Sequence, residues 1–180
     1  MPASRLSSPW LPRLPRRNAA YHAWLTEQGS LTRRIVRRCR GAFRVRVLRF
    51  DLGKPCPDES GLLEFASDRL AWIREVLLYC GDKPVVFAHS VLPMAGINGP
   101  WRSLTGLGNR PLGEALFSDP RVERGVLHLR TLNRRHPLHG RLKETLAVPN
   151  DLPARRSLFS LGGHPILVTE VFLPDILALR

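Results

Sequence analysis

Lysine is scarce in this chain, found only at positions 54, 83 and 143, although lysine and arginine together number 28 against 15 acidic residues. The basic charge is therefore almost all arginine, a planar fork suited to carboxylates and phosphates. Cysteine is scarce too, since Cys39, Cys56 and Cys80 are odd in number and include no Cys-x-x-Cys pair. That usage implies neither a disulfide framework nor a zinc site, and it fits a reducing, cytoplasmic compartment. No run of about 18 apolar residues exists, which excludes a spanning helix. There is no Gly-x-Gly-x-x-Gly after a strand, no phosphate loop and no Gly-x-Ser-x-Gly elbow, so nucleotide-binding and serine-hydrolase signatures are missing. Nor do His22, His89, His128, His136, His139 and His164 show a zinc-protease spacing. No metal or other cofactor is expected, and His136 and His139, in an apparent loop, are expected at the surface.

What is present is enough for one globular domain: 180 residues, 43% of them hydrophobic, with a net charge of +13. The charge is front-loaded, from Arg5 to Arg49, and the first acidic residue is Glu27. Such a basic half suits nucleic acid, an anionic membrane, or the steering of an anionic substrate. No zinc-finger, RNP-like or basic-heptad pattern accompanies it, so nucleic-acid binding rests on charge alone. Residues 1–17 hold four prolines and no apolar h-region, which argues against a secretory signal and for a loose N-terminal arm before a single domain at 18–180.

Asn18 and Ser30 are placed to cap two helices, the second from Leu31 to about Cys39. Phe43–Phe50 alternates as a half-buried strand, while 53–58 reads as a loop and 59–68 fits no template. Residues 70–79 and 85–92, joined by Gly81-Asp-Lys-Pro84, read as an antiparallel hairpin. Residues 93–108 read as loop, Pro111 opens a short helix to Phe117, and 125–132 is a strand. The polar stretch 133–153 is a connection with a short helix near 141–146. Residues 156–161 and 164–173 form a second hairpin whose turn is Gly162-Gly163. Helices first and antiparallel strands after predict an α+β fold, a single sheet of about six strands with short helices packed on it.

Two charges fall inside these apolar runs. With period two, Arg74 shares a face with Trp72, Val76 and Leu78, and Glu170 shares one with Ile166, Val168 and Phe172. A buried charge is costly unless paired, so the two either form a structural ion pair or line a closed pocket for a small polar anion. Glu75, on the opposite face, either shares that burial or faces solvent at a strand edge. Periodicity does not decide between these readings.

Four segments in order are Trp72-Ile-Arg-Glu-Val-Leu-Leu78, Arg110-Pro-Leu-Gly-Glu-Ala-Leu-Phe117, Ala154-Arg-Arg-Ser157 and Leu167-Val-Thr-Glu-Val-Phe-Leu-Pro174. Together they make the chain, from about Ala23 to Pro174, resemble the chorismate pyruvate-lyases, which form 4-hydroxybenzoate for ubiquinone. The resemblance implies a cofactor-free carbon-oxygen lyase that releases pyruvate, and a monomer. It also implies a product site made by Arg74, Leu112 and Glu170, with Leu31 where the family has methionine, and with Arg74 and Glu170 as the catalytic pair. Slow product release is a further implication. Two other readings remain: an effector-binding domain of related fold that binds without turnover, and a basic nucleic-acid-binding protein.

Overall fold

A computed structural model of the chain describes residues 10–13, 16–64 and 69–179. The elements in chain order are α1 (His22–Leu25), α2 (Leu31–Arg38), β1 (Phe43–Gly53), β2 (Ala71–Cys80), β3 (Lys83–Pro93), α3 (Met94–Ile97), α4 (Leu112–Ser118), β4 (Glu123–Arg124), β5 (His128–Leu132), α5 (Pro137–Thr145), β6 (Leu152–Leu161) and β7 (His164–Phe172). Short 3-10 turns sit at 16–21, 102–106 and 174–178. The fold is α+β, with one antiparallel sheet of seven strands in the order β1-β2-β3-β7-β6-β4, and β5 also pairs with β6. The extra strand is β4, just before the segment read as 125–132, whose strand is β5; both lie along one side of β6, Glu123 opposite Ser160 and His128 opposite Arg156.

The sheet has two covered faces, set by alternation. On β2 the front side carries Trp72, Arg74, Val76 and Leu78, and the back side Ile73, Glu75, Leu77 and Tyr79. Helices α1, α2 and α4 cover the front, through Trp24, Leu31, Ile35, Leu112 and Leu116. Helix α5 covers part of the back, where Leu138 and Leu142 meet Leu77, Phe87 and Val171. Ser30 does cap α2, its side chain accepting from the Arg33 amide at 3.3 Å, which satisfies one of the free amides of the first turn.

Several expectations change. The 133–153 connection is ordered: α5 begins at Pro137, the His136 ring accepts from the Leu138 amide at 3.2 Å, and β6 starts at Leu152. His136 and His139 are buried instead of surface-exposed, because one caps the helix and the other contacts the Pro149 carbonyl at 2.8 Å. Of the loose arm, residues 1–9, 14 and 15 lie outside the described residues, but Trp10 and Leu11 are docked. Leu11 exchanges both backbone hydrogen bonds with Leu129 (2.9 and 2.7 Å), and Trp10 Nε1 donates to Asp58 at 2.7 Å. Prolines forbid a helix there, yet they allow this bridge. Residues 59–64 form turns, and 65–68 lie outside the described residues.

A disulfide joins Cys39, just past α2, to Cys80 at the end of β2, with 5.6 Å between the Cα atoms. The odd count and absent motif concealed it because the partners lie 41 residues apart and meet only through the fold. Loop-closure entropy for that separation contributes up to about 4 kcal/mol. Reduction should therefore lower the melting temperature by roughly 10 °C. Equal melting temperatures for samples verified by thiol counting as oxidised and reduced would remove that contribution.

Candidate functional site

The register of the sheet assembles the site in two neighbouring rows on the front face. One row is Val76, Ala88, Glu170 and Arg155, and the next is Arg74, Ser90, Val168 and Ser157. Ala88 and Ser90 at the centre are small, so the sheet leaves a hollow under the starts of α2 and α4. The cavity left there is tight, about 40 Å³. Gly113 makes the roof close: a Cβ there would stand 3.4 Å from Thr32 Oγ1 and 3.6 Å from Ser30 Oγ. Leu31, Arg74, Leu112 and Glu170 all line this one cavity.

Arg74 and Glu170 do not pair with each other. Arg74 Nη2 donates to the Gly108 and Arg110 carbonyls at 3.1 and 2.9 Å. The left-handed backbone of Gly108 (φ 53°), natural for glycine, presents the first of these. Among the described residues no carboxylate forms an ion pair with Arg74. Burial alone pulls its pKa down to about 10, the mark of a desolvated cation lacking a counter-charge. Glu170 instead accepts from Arg155 Nε at 2.5 Å, while Arg155 Nη1 is held by the Trp24 and Glu27 carbonyls at 3.1 and 2.6 Å. Arg155 thus fixes the direction of the Glu170 carboxylate.

A third arginine completes the wall. Arg124 Nε donates to Ser157 Oγ at 3.0 Å and Nη1 to the Gln28 carbonyl at 2.6 Å, and its guanidinium lies 5.6 and 5.3 Å from the ring centres of Phe117 and Phe159. Burial, and then Arg155, lower its pKa to about 10. Among the described residues the lining therefore carries three arginines and one carboxylate, an excess of two positive charges, and contains no histidine or cysteine. That wall attracts a dianion, and with a single carboxylate it offers no donor set for a metal.

Sequence reasoning missed Arg124 and Arg155 as site residues. Arg155 was open to the period argument, since it alternates with Ser157 and Phe159 once the strand is known to begin at Leu152. Arg124 had no signal, because β4 is two residues long. Glu75 faces the back of the sheet and is buried, in a central strand and not at an edge.

A family model described as chorismate lyase matches residues 13–179. A probable chorismate pyruvate-lyase of Nitrosospira multiformis is 48% identical over 180 residues, covering 99% of both chains. One from Aromatoleum aromaticum is 49% identical over 179 residues, covering 96% of each. Among solved structures, the PhnF C-terminal domain superposes with a TM-score of 0.56 at 12% identity, over 73% of this chain and 83% of that one. The ligand-binding domain of a putative GntR-family regulator from Bordetella bronchiseptica gives 0.51 at 19% identity, over 75% and 86%. These two likenesses concern the fold alone.

Proposed function

The chain belongs to the chorismate lyase family, and we propose from its cavity how it converts chorismate to 4-hydroxybenzoate and pyruvate. The observation that carries the reading is the buried excess of two positive charges beside one directed carboxylate. Chorismate has two carboxylates, a ring hydroxyl and an enolpyruvyl ether. Arg74, with no counter-charge among the described residues, takes the ring carboxylate through a charge-assisted fork. Arg124 and Arg155 lie on the neighbouring side of the cavity and take the enolpyruvyl carboxylate. Glu170, directed by Arg155, holds the ring hydroxyl.

The reaction breaks the ether C–O bond and removes the hydrogen from the ring carbon that bears the hydroxyl. The enolpyruvate leaving group takes up a proton and becomes pyruvate. Aromatisation supplies the driving force, so positioning and charge complementarity are what the protein must provide. A carboxylate at the hydroxyl stands next to the hydrogen that is lost, which suits Glu170 to proton transfer. Leu31 and Leu112 supply apolar walls to the ring, and Leu31 keeps the lining apolar where the family has methionine. Slow release of the aromatic acid, which the family resemblance implies, belongs to the same reading.

The product is the precursor of ubiquinone, and we place the protein at that step, as a monomer in the cytoplasm. No helix among the described residues is long and apolar enough to cross a membrane. Thiol counting on cells lysed into an alkylating agent tells whether the Cys39–Cys80 bond is formed there, and so checks the reducing compartment.

The lining has no metal donor set beyond Glu170, so steady-state release of 4-hydroxybenzoate from chorismate should be the same with and without EDTA. Loss of turnover in EDTA, regained with a divalent ion, would contradict this mechanism.

A further inference from the structure

On the face of the sheet away from the cavity, Cys56, Glu59 and His89 bring a thiol sulphur, a carboxylate oxygen and an imidazole nitrogen within 4.8 Å of one another, all three residues buried. We propose that this cluster binds one zinc-class divalent cation, with Cys56 Sγ, His89 Nε2 and the Glu59 carboxylate as ligands. The donor types are those of protein zinc sites, and a tetrahedral ion needs donors about 3.3–3.8 Å apart. His89 Nε2 already stands 3.2 Å from both Oε1 and Oε2 of Glu59, so the carboxylate faces the ring nitrogen with its two oxygens equidistant. That is the posture of a chelating carboxylate. The sulphur completes the set within 4.8 Å of both.

The surroundings are arranged as ligand support. Glu75 Oε1 lies 2.9 Å from His89 Nδ1 and is itself held by Arg141 Nη1 at 2.5 Å. A carboxylate on Nδ1 keeps the proton there and turns Nε2 outward as a lone-pair donor, the usual partner arrangement of metal-bound histidine. The Cys56 amide donates to Glu59 Oε2 at 2.7 Å, which fixes the carboxylate and the thiol to one turn.

The donor set suits a divalent ion in charge: a thiolate and the Glu59 carboxylate would offset it, and Glu75 is offset by Arg141. The bound ion would clamp the 54–64 segment to β2 and β3, apart from the reaction.

Cys56 is the one free thiol of the oxidised protein, so cobalt is a direct probe of it. Oxidised protein unfolded in chelator and refolded with one equivalent of cobalt should show a sulphur-to-cobalt charge-transfer band. Zinc should abolish the band and raise the melting temperature. C56S should lose the band, bind zinc at least tenfold more weakly, and turn over chorismate normally; H89Q should weaken zinc similarly. The proposal fails if the wild type shows no charge-transfer band and no zinc-dependent melting shift. It fails equally if C56S binds zinc as tightly as the wild type, since the ion would then sit elsewhere.

Discussion

Replacing Arg74 with alanine should weaken 4-hydroxybenzoate binding by about 2–5 kcal/mol, the range for losing one partner of a buried charged contact. The side chain is buried at 3% exposure and held by two carbonyls, with no ion pair among the described residues. Its removal takes away the cation meant for the ligand carboxylate, while the free protein is relieved of a desolvated charge. Melting temperature should therefore change little, because the two lost hydrogen bonds to Gly108 and Arg110 are offset by that relief. A structural ion pair behaves oppositely: loss of one partner strands the other charge and unfolds the protein early. Calorimetric affinity together with a thermal melt separates the two. Near-normal affinity combined with a large fall in melting temperature would contradict the assignment.

Glu170→Gln should reduce kcat by roughly 10²–10⁴, the usual contribution of a positioned acid or base, with product affinity changed by less than about tenfold. Glutamine keeps an oxygen to accept from Arg155 Nε, now 2.5 Å from Glu170 Oε2, and can still hydrogen-bond the ring hydroxyl. What it lacks is charge and basicity. Equal losses in kcat and in product affinity would reduce Glu170 to a binding group.

Both residues were legible because alternation is a strong signal in long, covered strands. Arg74 sits in the ten residues of β2 and Glu170 in the nine of β7, and each shows its facing by period two alone. Their partners were not legible. Period two says which face a charge takes but not which strand lies alongside, and it is the β6–β7 register that sets Arg155 opposite Glu170. Leu31 and Leu112 came from family resemblance, as neither carries a chemical signature of its own. The Ser30 cap was readable locally, but Asn18 caps no helix: its side chain donates to Thr131 Oγ1, and α1 starts at His22 after Tyr21. The start of α5 was overlooked although Pro137 is well suited to a first helical position, because the polar run around it lacks a helical apolar period. The Cys39–Cys80 bond, the docking of Trp10 on Asp58 and the burial of His139 all depend on contacts between distant segments, which local pattern cannot supply. The front-loaded arginines divide by role: Arg33, Arg37 and Arg38 occupy the outer side of α2, whereas the site uses Arg74, Arg124 and Arg155 from farther along.

Mixing chorismate with excess protein and quenching over time distinguishes a lyase from a pocket of the same fold that only binds. Conversion of the bound chorismate to 4-hydroxybenzoate and pyruvate in equal amounts, lost in Glu170→Gln, is the predicted result. Chorismate bound in the cavity and recovered unchanged would contradict it.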